Sequence, residues 1–135
     1  MTIDDEVSLL LKLHDAPLIY VDDDPDYAAL FSAHAERLGI KAVILSNSLN
    51  VVPALIKTRH RAKLLITDLQ MPTLDGLDLA KALKAFGSIT NVAIVTSELT
   101  SKRAQDAKSL GYDIRKKPLD VAGFSELLAP VLGPG

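Results

Sequence analysis

LIYVDDDPD, residues 18–26, is the stretch that decides the fold. Leu18 to Val21 is a short, continuous apolar run of the kind that forms a strand buried on both faces, as in parallel sheets. It stops at Asp22 and Asp23. Asp24 or Pro25 then stands where a helix would begin, because Asp caps helix N-termini and Pro is tolerated in the first turn. Tyr27, Leu30, Phe31, His34 and Leu38 recur at helical spacing on one face, and Gly39 follows at the place of a C-cap. The stretch therefore predicts a strand, a polar edge and a helix in succession.

That unit recurs down the chain. KAVIL at 41–45 predicts a second strand, with a polar turn over 46–50 and a short helix over 51–58 running into Arg59, His60 and Arg61, where cations suit the helix dipole. Pro53 fits that helix only near its start. KLLIT at 63–67 predicts a third strand closed by Asp68, and a loop to Asp75 leads into a helix opened by Gly76. NVAIV at 91–95 predicts a fourth strand ending at Thr96 and Ser97, before a helix over 99–110 closed by Gly111. YDIRK at 112–116 predicts a fifth strand before Lys117 and Pro118, and 121–132 a last helix ended by the prolines from Pro130 to Pro134. Parallel strands with short connections must cross over through helices, so the class is α/β: a doubly wound five-stranded parallel sheet, order 2-1-3-4-5, helices on both faces. In such sheets the crevice lies beyond the C-terminal ends of the first and third strands. Those are the strands that end in aspartates.

At 135 residues, 48% hydrophobic and 24% charged, the chain suits one ordinary globular core. No apolar stretch approaches the roughly 18 to 20 residues of a membrane helix, and the acidic start MTIDDEVSLLLKLHD is unlike a basic secretory signal, so no membrane insertion and a cytoplasmic location are expected. Without cysteine, chemistry falls to carboxylates, hydroxyls, amines or histidines. His14, His34 and His60 show no metal-binding spacing. The net charge of -2 gives no electrostatic reason to expect nucleic-acid binding. Residues 1–16 stand outside the repeat as an N-terminal extension expected to form a short helix, with Val7, Leu10 and Leu11 on one side. Such an extension either packs on the domain at 17–135 or contacts a partner or a second copy, which leaves a homodimer open.

Adjacent carboxylates raise each other's pKa unless a cation sits between them. Asp22 and Asp23 therefore point to a cation, although DDDPD is also a favourable acidic start for a helix. Asp68, ending a separate strand, needs no such role and shifts the balance to the cation. With only oxygen ligands on offer, Mg²⁺ fits better than zinc. Lys117, held at the sheet edge by Pro118 or else part of a solvated basic run, brings an ammonium. Thr96 brings a hydroxyl. An aspartate can attack phosphorus to form an acyl phosphate when a metal and a cation neutralise the transferring oxygens.

The motifs LIYVDDDPD, LLITDLQMPTLDG, AIVTSE and RKKPL, in this order, resemble the receiver domains of two-component response regulators. The resemblance runs from about Pro17 to Leu132. It implies the flavodoxin-like form of the doubly wound fold. It implies that Asp68 is the phosphoacceptor, that Asp22, Asp23, Asp68 and the Gln70 backbone carbonyl hold Mg²⁺, that Thr96 is the switch hydroxyl and that Lys117 contacts the phosphoryl group. The partners it implies are a histidine kinase or histidine phosphotransfer protein and a downstream protein target, and the domain would catalyse its own phosphorylation and dephosphorylation. The position three before the lysine, often aromatic in the family, is Ile114 here, and Ser97 stands where a smaller residue is usual.

The expected output is binding rather than catalysis or DNA contact. A phosphorylation-independent scaffold that uses the outer helices for docking is the alternative. A phosphatase with an aspartate nucleophile would need a second acid two residues on, where Gln70 stands.

Overall fold

The structure is a computed structural model that describes residues 18–51, 53, 55, 63–72, 74–86 and 91–132. The N-terminal extension and the basic residues 59–61 lie outside the described residues. Strand β1 (Leu18–Val21) leads to helix α1 (Pro25–Arg37), β2 (Ala42–Leu45) and a 3₁₀ turn at Ser48–Asn50, after which Val51, Pro53 and Leu55 are helical. There follow β3 (Leu64–Asp68), α2 (Gly76–Phe86), β4 (Asn91–Thr96), α3 (Lys102–Ser109), β5 (Asp113–Lys116) and α4 (Val121–Leu132). The sheet order is β2-β1-β3-β4-β5, all pairs parallel. This is the predicted flavodoxin-like arrangement.

Strand alternation divides the core between the two faces. Leu18, Tyr20, Leu64, Ile66, Ala93 and Val95 meet Phe31 and Ala35 of α1 and Phe124, Leu127 and Leu128 of α4. Ile19, Val21, Val43, Leu45 and Leu65 meet Val51, Leu55 and, on α2, Leu79 and Leu83, while Ile94 packs with Leu77, Ala80 and, on α3, Ala104 and Ala107. β1 and β3 are buried along their whole length, which is why they read as unbroken apolar runs rather than alternating ones.

Two boundaries differ from the sequence reading. Helix α3 starts at Lys102, not at residue 99, because the Ser101 side chain accepts the Ala104 N–H and caps the helix there. Tyr112 is not in β5: its N–H donates to the Ala107 carbonyl and that of Gly111 to Lys108, a helix ending that needs the left-handed φ of 88° at Gly111. Helix α4 spans Val121–Leu132, the predicted bounds.

Candidate functional site

Strand register gathers the polar residues at one edge. Val21 pairs with Thr67 and Asp68 with Val95, so Asp22, one step past β1, emerges beside Asp68 at the end of β3. The Asp22 N–H donates to the Leu45 carbonyl at 3.0 Å and that of Leu69 to Val95 at 2.8 Å, extending the ladders past the strand ends. Thr96 pairs with Lys116, and the Lys117 N–H donates to the Thr96 carbonyl at 2.9 Å. The edge of the sheet thus carries, in spatial order, two adjacent acids, the third acid, a hydroxyl and an ammonium.

Their side chains converge. Carboxylate oxygens of Asp22, Asp23 and Asp68 all lie within 4.8 Å of one another. Two ligands on opposite sides of a Mg²⁺ ion are about 4.2 Å apart, so small side-chain adjustments suffice to bring these oxygens round one ion. Lys117 Nζ lies 2.8 Å from Asp22 Oδ2 and 3.3 Å from Asp68 Oδ1. One ammonium against three carboxylates leaves an excess of negative charge, the chemistry of a divalent cation site. Asp22, Asp68, Thr96 and Lys117 are buried, whereas Asp23 is exposed and offers the open side.

Burial dominates the electrostatics of Asp68. It pushes the Asp68 carboxyl up from 3.8 to about 6, Lys117 pulling it down and Asp22 and Asp23 adding to the rise. At neutral pH most Asp68 is therefore ionised. For Lys117, burial works against the ammonium, but its hydrogen bond to Asp22 and the charges of Asp68 and Asp22 prevail, so its pKa is raised. The Thr96 hydroxyl accepts the Glu98 N–H at 3.1 Å. Gln70 follows β3 by two residues on the exposed rim of the site.

Four features around the site are not apparent from the motifs. Tyr20 donates its hydroxyl to Asp22 Oδ2 at 2.8 Å in a buried bond, and burial followed by that bond holds its phenol far above the ordinary range. Tyr27 places its ring 4.0 Å from Lys117 Nζ. Gly76 lies so close to β3 that an added Cβ would stand 2.3 Å from the Asp68 carbonyl oxygen. Arg103, from α3, forks onto Asp75 with both bonds at 2.9 Å and reaches Asp78 at 3.0 Å, tying the loop behind Asp68 to the helix that follows Thr96. The signal for Tyr20 was a tyrosine in a run otherwise aliphatic; for Arg103 there was none.

Tyr20→Phe is expected to lower stability by about 1.5 to 3 kcal/mol, the range for a hydrogen bond to a charged acceptor. Asp22 Oδ2 keeps Lys117, and its Oδ1 keeps the Asp24 N–H at 3.0 Å, so the loss is confined to the phenol. A lower urea midpoint at unchanged slope checks this.

Residues 18–128 match a family model described as the response regulator receiver domain. The chain is similar to the transcriptional regulatory protein ZraR of Klebsiella oxytoca, 30% identical over 105 residues that cover 76% of this chain and 23% of that protein. It is 29% identical over 116 residues to the response regulator protein PilR of Pseudomonas aeruginosa, covering 84% of this chain and 25% of that one. The chain thus spans about a quarter of the length of these curated relatives. Among solved structures it resembles in fold a response regulator receiver domain protein from Clostridium thermocellum, with a TM-score of 0.76, 21% identity and coverage of 87% of this chain and 94% of that one. A response regulator receiver protein from Pseudomonas putida aligns with a TM-score of 0.69 at 27% identity over 84% of this chain and 95% of that one.

Proposed function

This chain belongs to the response regulator receiver-domain family of two-component signalling, and from that premise we propose that it is a phosphorylation switch whose acceptor is Asp68. The observation that carries this reading is the meeting of Asp22, Asp23, Asp68 and Lys117 at one sheet edge. The donor is a phosphohistidine on a histidine kinase or histidine phosphotransfer protein. An Asp68 oxygen attacks phosphorus in line, the bond to the histidine nitrogen breaks, and the acyl phosphate forms on the acceptor. Asp22, Asp23, Asp68 and the Gln70 carbonyl are the groups that would hold Mg²⁺, whose chemistry when bound is to neutralise phosphoryl oxygens. Lys117, already 3.3 Å from Asp68, supplies the protein's own positive charge to those oxygens.

The product adds a charge of about -1.5 to -2 to the sheet edge. The Thr96 hydroxyl turns from the Glu98 N–H to a phosphoryl oxygen, and the loop leading to α3 moves with it. A downstream protein that prefers the phosphorylated form reads the change. Among the described residues no helix is long and apolar enough to cross a membrane. The reading places the reaction in the cytoplasm, where kinases meet their donors.

Mass spectrometry after incubation with acetyl phosphate, with and without Mg²⁺, tests the proposal. One phosphoryl group is expected, dependent on Mg²⁺ and mapping to Asp68. Incorporation at another residue overturns the assignment, and the absence of both modification and Mg²⁺ binding favours a docking module that keeps the fold alone.

A further inference from the structure

We infer that Tyr27 is a positioning residue for Lys117, its ring face holding the ammonium between Asp22 and the acceptor Asp68. This rests on the phosphoacceptor reading above and adds to it a group outside the acids, hydroxyl and lysine that make up the site.

Among the described residues the Lys117 ammonium meets Asp22 Oδ2 at 2.8 Å, Asp68 Oδ1 at 3.3 Å and the Tyr27 ring at 4.0 Å from its centroid. Its side chain is 6% exposed, so little water solvates the ammonium. Tyr27 and Lys117 share the wall of a cavity of about 20 Å³ with Tyr20, Phe31, His34 and Leu119. Among the rings at that wall, Tyr27's is the one that lies over the cation. A desolvated ammonium over an aromatic face is the arrangement in which the attraction is strongest.

The placement follows from the acidic stretch itself. Asp24 caps α1 by accepting the Asp26 N–H at 2.9 Å and Pro25 takes the first helical position, which sets Tyr27 in the first turn above the lysine. The segment that follows β1 therefore supplies the ammonium with both an acid, Asp22, and an aromatic face, Tyr27.

Phosphoryl transfer moves negative charge outward from the Asp68 carboxylate to the phosphoryl oxygens. Lys117 must follow that charge, yet its shorter contact is with Asp22. The ring quadrupole attracts the ammonium without competing as a hydrogen-bond acceptor, so it supports the lysine in either partnership. The attraction needs the ring and not the hydroxyl.

The experiment compares wild type, Tyr27→Phe, Tyr27→Leu and Tyr27→Met, the last being a flexible variant in case the branched one fails to fold. In metal-free protein, the Lys117 ε-proton resonances should lie upfield in wild type and Tyr27→Phe, and lose that ring-current shift in the other two. The rate of Asp68 phosphorylation by acetyl phosphate should fall about 5- to 10-fold in Tyr27→Leu and Tyr27→Met, while Tyr27→Phe stays within about twofold. Mg²⁺ affinity should stay within about twofold throughout, which a general collapse of the site would not allow. Ringless variants as fast as wild type, Tyr27→Phe as slow as they are, or Mg²⁺ affinity falling in step with rate would each overturn the inference. A wild type that is not modified at Asp68 overturns the switch reading and this inference together; an active wild type matched by its ringless variants overturns this inference alone.

Discussion

Asp68→Asn is expected to abolish phosphorylation by acetyl phosphate and, in metal-free protein at neutral pH, to raise stability by roughly 2 to 3 kcal/mol. The loss of reaction follows from the loss of the attacking carboxylate oxygen. The gain in stability follows from its burial. Raised from 3.8 to about 6, the folded-state pKa means that the native protein holds the proton more tightly than the unfolded chain does. Below about pH 4 the carboxyl is protonated in both states, and its favourable contribution relative to the ionised form is fully present. As pH rises through about 6 the folded state must ionise a buried group near the charges of Asp22 and Asp23, and that contribution is lost. About two units at 1.36 kcal/mol each give the stated size.

Asparagine carries no such charge, so the advantage of Asp68→Asn should appear between pH 4 and 7 and vanish below it. Urea unfolding of both proteins at pH 3.5 and 7.5 in the presence of a chelator checks this. Added Mg²⁺ should narrow the gap by binding the native wild type more tightly. Equal stability of the two proteins at pH 7.5 would show that Lys117 fully compensates the buried charge.

Gly76→Ala is the second large effect, with an expected loss of about 3 kcal/mol or more in stability. The new methyl would stand 2.3 Å from the Asp68 carbonyl oxygen, 3.0 Å from its carbonyl carbon and 3.0 Å from the Leu69 Cα. All three are backbone atoms at the end of a central strand, with no rotamer through which to yield. The Gly76 N–H also donates to the Leu69 carbonyl at 2.8 Å, so relief by moving α2 breaks the bond that closes the loop. Any shift is passed to Asp68, and a misplacement of about 1 Å costs on the order of 100-fold in rate.

Gly123→Ala is the control. There the Cβ meets the Asp120 Oδ1, which accepts the Gly123 N–H at 2.7 Å, at 3.2 Å and a Leu119 methyl at 3.4 Å, so a shift of a few tenths of an ångström in side-chain atoms, with no backbone in the way, suffices. Alanine in that helix is worth about 0.5 to 1 kcal/mol over glycine, which offsets the crowding. Thermal unfolding and acetyl phosphate kinetics on both variants separate the cases. Wild-type behaviour in Gly76→Ala would mean that the loop behind Asp68 yields after all.

The contrast between these glycines shows where sequence reasoning stops. Gly76 and Gly123 both sit in helical patterns, and nothing local distinguishes the one that touches a strand end some eight residues back from the one that faces a leucine. Boundaries failed for a related reason. Tyr112 has the strand-forming character of its neighbours, yet its amide is taken by the end of α3.

What the sequence determined by itself was the alternation of strands and helices, hence the parallel sheet, its order, and the identity of the polar residues left at its edge. These follow from short-range pattern: a run buried on both faces is apolar throughout, and a residue that breaks it with charge must lie where the sheet ends. Tertiary structure alone decided that Tyr20 and Tyr27 attend Asp22 and Lys117, that Arg103 braces the loop behind Asp68, and that Gly76 allows no side chain. Tyr20 and Asp22 are only two residues apart, and what the fold added there is the burial that makes them partners; the other contacts join separate elements, and their distances come from how helices settle on the sheet, which no local periodicity encodes.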